Sequence, residues 1–327
     1  MSTEVKRLGS TDYLKSRLRA FVSEWMILFL FLALFILCSL FIRNFFELGN
    51  LMNIARQVSF LTIAALGQFF VILIAHMDLS VGSSIGLSSA LLAGLVSFQH
   101  LPFGLSLFIV ILVSVIIGLI NGAVVIYGRV PAFIATLVMM NVLTGISFLY
   151  SKGLPISGLP KWFSYFGMGY FLGIPVPVYM MVICAAFCYV LTTRTALGRN
   201  FYAVGGNFEA AKLSGVNVVM VGMVAFVLCS IFTLIASLGL TSRTMSGSAT
   251  LGDAMLFDII TVVVLGGTSL FGGRGNILGV VIAALLIGII TNAMVLLGIN
   301  TYFQWIIKGL ILIAVVLADV NAKRNKV

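Results

Sequence analysis

Long apolar runs with very few charges fill most of this chain and restrict what it can fold into. A helix needs ~20 residues to cross the hydrocarbon core of a bilayer, and these runs are close to that length. A transmembrane strand needs only ~10 residues of alternating character, which the runs do not show. The sequence therefore predicts an all-α polytopic membrane protein with about ten transmembrane helices in a single domain, residues 1–327. The predicted spans are 25–42, 58–75, 79–98, 103–127, 132–150, 176–192, 218–240, 254–270, 277–297 and 303–318.

The composition excludes a water-soluble globule. Hydrophobic residues make up 61% of the chain and charged residues only 9%. A soluble domain carries roughly 25% charged residues, so this chain has too few charges to cover a surface in water. Its 26 phenylalanines also exclude a disordered chain. The cysteines all fall inside apolar runs, where we expect inert packing thiols; they are Cys38, Cys184, Cys188 and Cys229.

The distribution of lysine and arginine predicts the orientation, because cytoplasmic loops carry an excess of both. Most of the basic residues behind the net charge of +10 lie near the termini and on loops of the same side. Both termini are therefore predicted to be cytoplasmic, as segments 1–24 and 319–327. We expect the amine of Lys308, inside the last run, to reach the outer surface. Five basic residues fall on predicted outer loops: Arg43, Arg56, Lys152, Lys161 and Arg243.

A polar loop at 193–217, on the cytoplasmic side, contains a pattern that predicts a short helix. Residues 205–207 read Gly-Gly-Asn, which is typical of a turn. Asn207 can cap a helix, and Glu209 would lie in its first turn, where the helix dipole favours a negative charge. Gly215 is suited to end it. The pattern alone leaves open whether this amphipathic helix docks a partner or lies at the membrane surface without one.

Two further interruptions of the apolar pattern carry polar or glycine residues. At 75–84, Asp78 and Ser80 either cap the following helix or line a solute pathway, because polar groups at membrane depth are costly. At 258–276, paired glycines allow backbones to approach closely or break a helix. This second stretch lacks the lysine of a phosphate-binding loop, so it is not expected to cradle a nucleotide.

The fifth run contains a polar stripe at three-residue spacing, Asn141, Thr144 and Ser147. Such a stripe either lines a path or bonds one helix to another, and the spacing does not decide between them. A membrane enzyme is not favoured, because the only histidines, His76 and His100, are predicted on opposite sides of the membrane. An ion-coupled carrier would need ionisable groups deep in the membrane, and few are present.

Taken together, the motifs at 75–84, 202–215 and 262–275 resemble those of the ribose-type sugar permeases. These are membrane subunits of ABC importers in the sugar and branched-chain amino-acid permease superfamily. Their patterns are close to G-G-I-D-L-S-V-G, Y-A-x-G-G-N-x-E-A-A-x-x-x-G and V-V-L-G-G-T-S-L-x-G-G-x-G. The resemblance extends from about residue 50 to residue 316. Residues 75–77 read Ala-His-Met where the family has Gly-Gly-Ile, and Phe208 replaces a frequent proline.

The resemblance implies a type II ABC importer-like fold and a role for each motif. The loop at 193–217 would be the cytoplasmic coupling loop, with ATPase-coupling residues Gly205, Gly206, Asn207, Glu209, Ala210, Ala211 and Gly215. The resemblance makes the turn with Arg129, Pro131 and Phe133 an inner gate, with Phe133 as an apolar plug at the inner mouth. The other candidate pathway residues come from their own polar chemistry: Asp78, Ser80, Asn141, Thr144 and Ser147. The five outer basic residues, which depart from the positive-inside trend, are either ordinary solvated loop charges or pair with acidic residues on an external binding protein.

The implied function is import of a small neutral sugar, a pentose or a hexose, across the bacterial cytoplasmic membrane. A nucleoside, an amino acid or a signalling sugar would suit the same machinery. The chain itself is expected to be no enzyme and to bind no metal, cofactor or nucleic acid. ATP and Mg²⁺ would be bound by a separate ATPase subunit. The other implied partners are a second permease subunit, identical or related, an extracytoplasmic solute-binding protein and the lipid bilayer.

Overall fold

A computed structural model describes the backbone of residues 10–324 and the side chains of residues 26–321. The apolar runs form helices, because in lipid the backbone polar groups must be satisfied within the segment itself. The predicted cytoplasmic segment 1–24 and the end of the predicted tail lie outside the described side chains. The α-helices are α1 (Ser10–Phe41), α2 (Leu48–Leu73), α3 (Val81–Ser97), α4 (Phe103–Ile126), α5 (Ala132–Ser151), α6 (Ser164–Met168), α7 (Val176–Arg194), α8 (Ala196–Gly206), α9 (Phe208–Leu213), α10 (Val218–Thr244), α11 (Leu256–Leu265), α12 (Ile277–Leu296) and α13 (Thr301–Arg324).

The remaining regular structure of the described chain is short. Lys161–Phe163 and Asp253–Met255 form single 3₁₀ turns. Strands β1 (Tyr170–Phe171) and β2 (Ile174–Pro175) pair antiparallel just before α7. These pieces connect helices and add no separate layer to the fold.

Seven of the described helices are long and apolar enough to cross a membrane: α2, α4, α5, α7, α10, α12 and α13. Two shorter apolar helices, Met26–Phe41 within α1 and Val81–Ser97, occupy two more of the predicted runs. Helix α11 has only 10 residues, which spans ~15 Å at the usual helical rise. The chain is thus a polytopic helical protein, whereas the count of ten spans stays a prediction.

Glycine explains why the predicted run 254–270 gives only a short helix. Gly266 and Gly267 follow α11, and Gly267 has φ +88°, a conformation that side-chain-bearing residues rarely adopt. A Cβ on Gly266 would lie 2.6 Å from the backbone nitrogen of Val280, so the loop packs directly on α12. Asn276 then caps α12 by accepting a hydrogen bond from the Leu278 amide at 2.9 Å. The helix therefore ends where the glycine pair allows close packing.

Helices α2 and α10 form the centre of the molecule. Helix α2 packs against α7, α10, α11 and α12, and α10 also packs against α3 and α4. Every residue of α2 from Val58 to its end at Leu73 is buried. The two central helices approach closely at Gly67, where a Cβ would lie 2.8 Å from Cβ of Phe232. The buried half of α2 is consequently held on all sides by other helices.

The outer helices carry exposed apolar faces. Leu149 on α5 is 84% exposed and Ile183 on α7 is 69% exposed, and α13 shows the same pattern at Leu310. Contiguous apolar surface of this kind would promote aggregation in water. It is the expected surface for helices that face lipid or a second membrane subunit.

Candidate functional site

The predicted cytoplasmic loop 193–217 is built from two helices in series. Thr195 caps α8, accepting a hydrogen bond from the Gly198 amide at 3.0 Å. Asn207 caps α9 in the same way, accepting from the Ala210 amide at 3.0 Å, so the predicted cap is confirmed. The predicted turn at 205–207 is wrong for its two glycines, which are the last residues of α8. The chain changes direction at Asn207 alone, which has extended backbone angles.

Helix α9 is a six-residue helix that stands on the surface. Of its residues only Ala211 is buried, while Leu213 is 87% exposed and Phe208 is 45% exposed. Glu209 in its first turn and Lys212 in its last turn complement the helix dipole. Gly215 follows with φ +83°, as expected for the residue that ends the segment. The result is a short capped helix that presents both apolar and charged side chains outward.

Helix α8 meets two other segments backbone to backbone at Gly205. A Cβ on Gly205 would lie 2.5 Å from the Gly273 nitrogen and closer still to the Leu73 carbonyl oxygen. The Gly273 amide donates a hydrogen bond to that same carbonyl at 2.9 Å. The end of α8, the end of α2 and the glycine-rich loop after α11 therefore touch at one place. We call this contact of Gly205, Leu73 and Gly273 the glycine joint.

The glycine-rich loop at 266–276 is fixed from two more sides. Tyr202 on α8 donates its hydroxyl hydrogen to the Gly275 carbonyl at 3.0 Å. Asp319 on α13 accepts from the Leu270 amide at 3.1 Å. Gly272 and Gly273 have φ +78° and +71°, which permits the tight path of the loop around the joint. The motifs at 202–215 and 262–275, which are far apart in sequence, thus form one structural unit.

The third motif, at 75–84, directly follows the end of α2 at the glycine joint and contains a buried polar network. Asp78 accepts hydrogen bonds at Oδ1 from the Ser80 amide at 2.8 Å and the Ser80 hydroxyl at 2.6 Å. Asn121 of α4 donates to Asp78 Oδ2 at 3.3 Å and to Ser80 Oγ at 2.9 Å. Burial raises the pKa of Asp78, while the bonds from Ser80 and Asn121 lower it. Ser80 precedes α3 without capping it through its side chain.

Helix α5 holds the same connection from the other side. Thr136 accepts a hydrogen bond from the Leu79 amide at 3.0 Å and donates to the Ala132 carbonyl at 2.8 Å. The segment between α2 and α3 is therefore attached to α4 through Asn121 and to α5 through Thr136. Neither residue is among the predicted site residues. An inward-facing amide or hydroxyl in an apolar run is the signal that would have found them.

The predicted gate lies at the start of α5, beside this network. Arg129 has φ +54°, and Pro131 precedes the helix as its N-terminal cap residue. Phe133 is 58% exposed. The exposed ring lies at the end of the helix that Thr136 attaches to the α2–α3 connection, and its role as a plug stays a prediction.

The polar stripe on α5 does not face a single surface. Asn141 is exposed and donates only to the Leu137 carbonyl of its own helix, at 3.1 Å. Thr144 is partly buried and Ser147 is fully buried, with no hydrogen-bond partner for its hydroxyl among the described residues. Steps of three residues turn ~60° short of a full helical turn each time, so the stripe slants from the surface into the interior. It can serve both of the roles left open by the spacing, at different points.

The outer basic residues fall into two groups. Arg43, Lys152 and Lys161 are exposed, as loop residues generally are, and their docking role stays a prediction. Arg56 and Arg243 are predicted on loops, but the structure places them within α2 and α10. Arg56 is 7% exposed and its guanidinium lies 5.2 Å from the ring of Tyr170. Arg243 lies in the last turn of α10, whereas Arg56 is the ninth residue of α2, which begins at Leu48. Both helices extend beyond the apolar runs because a helix tolerates arginine and polar residues, which hydropathy does not signal as helical.

The prediction that Lys308 reaches the outer surface is also wrong. Its amine forms an ion pair with Asp258 of α11 at 2.6 Å, and both side chains are mostly buried. The reason is the packing of α13 against α11, which directs Lys308 inward. A buried charge needs such a partner, because an unpaired one is costly.

Comparison with known proteins agrees with the motifs. A family model described as branched-chain amino acid transport system / permease component matches residues 50–316. The ribose import permease protein RbsC of Haemophilus influenzae is 44% identical over 296 residues, covering 88% of this chain and 91% of that protein. RbsC of Bacillus subtilis is 42% identical over 302 residues, with 88% and 91% covered. The galactose/methyl galactoside import permease protein MglC of Salmonella typhimurium is 34% identical over 302 residues, with 86% and 90% covered. No solved structure matches the chain.

The matched region begins in α2 and ends in α13, so it includes the glycine joint, the Asp78 network and α9. Most of the chain and most of each of these relatives are aligned. The chain is therefore a multi-pass membrane protein that belongs to the branched-chain amino acid transport system / permease component family.

Proposed function

We propose that this chain is the membrane-spanning permease subunit of an ATP-driven importer for a small neutral sugar of the pentose or hexose class. Relatives named for ribose import and for galactose and methyl galactoside import support the sugar class. One structural observation carries the mechanism. An exposed capped helix, α9, continues from a helix whose last turn is in backbone contact with the central helix α2.

In this proposal α9 docks on a separate ATPase subunit, which binds ATP and Mg²⁺. The exposed Phe208 and Leu213 supply apolar area, and Glu209 and Lys212 supply charge at either end. When the ATPase closes on ATP, α9 moves with it. The glycine joint passes that movement to the Leu73 carbonyl and to the glycine-rich loop without a flexible side chain between them. The nucleotide chemistry thus stays on the partner, and this chain contributes movement.

The solute would pass between two permease subunits, identical or related. The Asp78 network and the Phe133 end of α5 form the inner end of the path, because both adjoin the end of α2 that the joint moves. The apolar side chain of Phe133 would close a polar path by excluding water and solute from it. Opening then requires only that α5 shift with the α2–α3 connection to which Thr136 attaches it.

The proposed topology has ten spans, with both termini in the cytoplasm of a bacterium and the chain in its inner membrane. Basic loops on the α9 side support this orientation. Arg43, Lys152 and Lys161 would then lie outside, exposed to an extracytoplasmic binding protein that delivers the sugar. Cysteine labelling of these loops with membrane-impermeant reagents tests the sidedness directly.

The deciding experiment is uptake into proteoliposomes that contain this chain, its ATPase and, on the outer side, its binding protein. We expect uptake of radiolabelled ribose or galactose that requires ATP and all three components. The family description also names branched-chain amino acids, so leucine is the essential comparison. Accumulation of leucine in place of sugar would overturn the substrate class. Accumulation driven by an ion gradient without the ATPase would overturn the importer mechanism.

A further inference from the structure

A cavity with apolar walls and a few polar side chains lies at the end of the helix bundle remote from α9. Its volume is about 200 Å³, and its walls come from α2, α10, α11, α12 and α13. The cavity begins at Gln57 on α2, whereas the glycine joint lies at Leu73 on the same helix. Sixteen residues separate the two, or ~24 Å along the helix axis. The cavity is therefore a feature of the opposite side of the membrane domain.

Both charged groups of the buried ion pair face this cavity. Asp258 uses Oδ2 to accept from Lys308, and Oδ1 has no hydrogen-bond donor in the described part of the chain. Lys308 uses one of its three N–H groups in that bond. The pair thus keeps hydrogen-bonding capacity that the protein does not satisfy, on the side where the cavity is empty of protein atoms.

Two neighbouring polar side chains, Arg243 and Gln57, also have few hydrogen bonds to the described part of the protein. Arg243 and Gln57 both donate to one oxygen of Asn53, each at 3.4 Å, which is long for a hydrogen bond. Most donors of the Arg243 guanidinium and the Gln57 carbonyl oxygen remain free to bind a solute. Thr291 of α12 adds a hydroxyl to the same wall. Five polar side chains from five different helices therefore converge on one small space.

The charged groups that line this cavity favour polar contents, because a charged group without a polar partner is costly to bury. The volume equals that of about seven water molecules in the liquid, which is also the scale of a monosaccharide. Carboxylate, amide, guanidinium and ammonium groups can all bond to sugar hydroxyls. Phe60 and Leu240 supply apolar wall for the C–H faces of a sugar ring. A ligand pocket has this composition, apolar walls with a few convergent polar groups.

We propose that this cavity is a transit subsite, where the imported monosaccharide is held by Gln57, Arg243, Asp258, Thr291 and Lys308 before it enters the path between the two permease subunits. This inference rests on the proposed function and adds to it the residues that touch the sugar. A transit site should bind weakly, since tight binding would slow release. The mixed charges, Arg243 and Lys308 against Asp258, suit a neutral polyhydroxyl solute that both donates and accepts.

Cysteine protection tests the proposal in the complete transporter. Thr291→Cys is introduced into the permease, and proteoliposomes with ATPase and binding protein are treated from outside with a small membrane-impermeant thiosulfonate. The natural cysteines among the described residues are buried, so they give little background. We expect labelling of Thr291→Cys to reduce ribose uptake at least about tenfold. We also expect millimolar ribose, but not leucine, to slow the labelling.

Leu310→Cys is the matched control, because Leu310 lies on α13 two residues beyond Lys308 and faces away from the cavity. It should not react and should transport as the unmodified protein does. If Thr291→Cys does not assemble, Met255→Cys reports on the same cavity. The inference would be overturned if the unlabelled complex takes up ribose but ribose does not slow the labelling. It would also be overturned if labelling leaves uptake intact. Either result would mean that the cavity holds only water. Absence of any sugar uptake by the unmodified complex would instead overturn the proposed function.

Discussion

Replacing Gly205 by alanine is the sharpest test of the glycine joint. The added Cβ would lie 2.5 Å from the Gly273 nitrogen, and nearer to the Leu73 carbonyl oxygen, whereas real Cβ contacts essentially never fall below 3.0 Å. The backbones must therefore separate by at least half an ångström at Gly273 and by more at Leu73. The hydrogen bond between those two residues, 2.9 Å long, would be stretched or broken.

The expected cost follows from these contacts. Overpacking of a close contact typically costs about 1–3 kcal/mol, and loss of one hydrogen bond about 0.5–1.5 kcal/mol. We expect Gly205→Ala to lower the thermal stability of the purified permease by an amount in this range. We expect a fall of about tenfold or more in ATP-dependent uptake, because the joint that transmits the ATPase movement no longer closes.

The assay compares uptake, ATPase activity and melting temperature for Gly205→Ala and for Gly104→Ala. Gly104 lies in the first turn of α4, where an added Cβ would meet no atom within 4 Å, so this variant should behave as the unmodified protein. Gly206 has equally open surroundings, so Gly206→Ala should keep the melting temperature. Full uptake by Gly205→Ala would refute the view that backbone contact at this point transmits movement.

Three further predictions concern other parts of the domain. Phe133→Ala should raise ATP hydrolysis or solute leak in the complete complex without binding protein, and an unchanged basal rate would count against the inner gate. Asn121→Ala should lower thermal stability by about 1–3 kcal/mol, because Asp78 loses a donor to its buried carboxylate; unchanged melting would contradict the network. Asn50 and Asn292 exchange two hydrogen bonds, at 3.0 and 2.8 Å, so their alanine variants should show a coupling energy of about 0.5–3 kcal/mol in a double-mutant cycle. If the stability losses of the two single variants simply add up to that of the double variant, the pair does not link α2 to α12.

Local chemistry explains which parts of the structure are predictable from the sequence. An asparagine that precedes a helix satisfies a free backbone amide, so the cap at Asn207 follows from neighbouring residues alone. Long apolar runs predict helices because lipid offers the backbone no other partner. The glycine pair at 266–267 predicts a close approach or a break, and the structure shows both.

Tertiary packing decides what the sequence does not reveal. The run containing Lys308 predicts a helix, but only the packing of α13 on α11 directs the amine to Asp258. Arg56 lies in a helix that begins before the apolar run, and its burial beside Tyr170 depends on a hairpin far along the chain. The Leu73 carbonyl carries no side-chain signal at all, although it is the centre of the joint. Backbone contacts between distant segments are invisible to residue patterns for this reason.

The position of α2 connects the two proposals. Leu73 at one end takes part in the glycine joint, and Gln57 nearer the other end lines the cavity. The residues between them are buried and packed on all sides, so this part of α2 moves as a rigid rod and not by bending. A displacement at the joint therefore reaches the cavity wall through a single element. This explains why a glycine, and no larger residue, suits position 205: any side chain there would hold the rod away from α8 and separate the ATPase movement from the solute site.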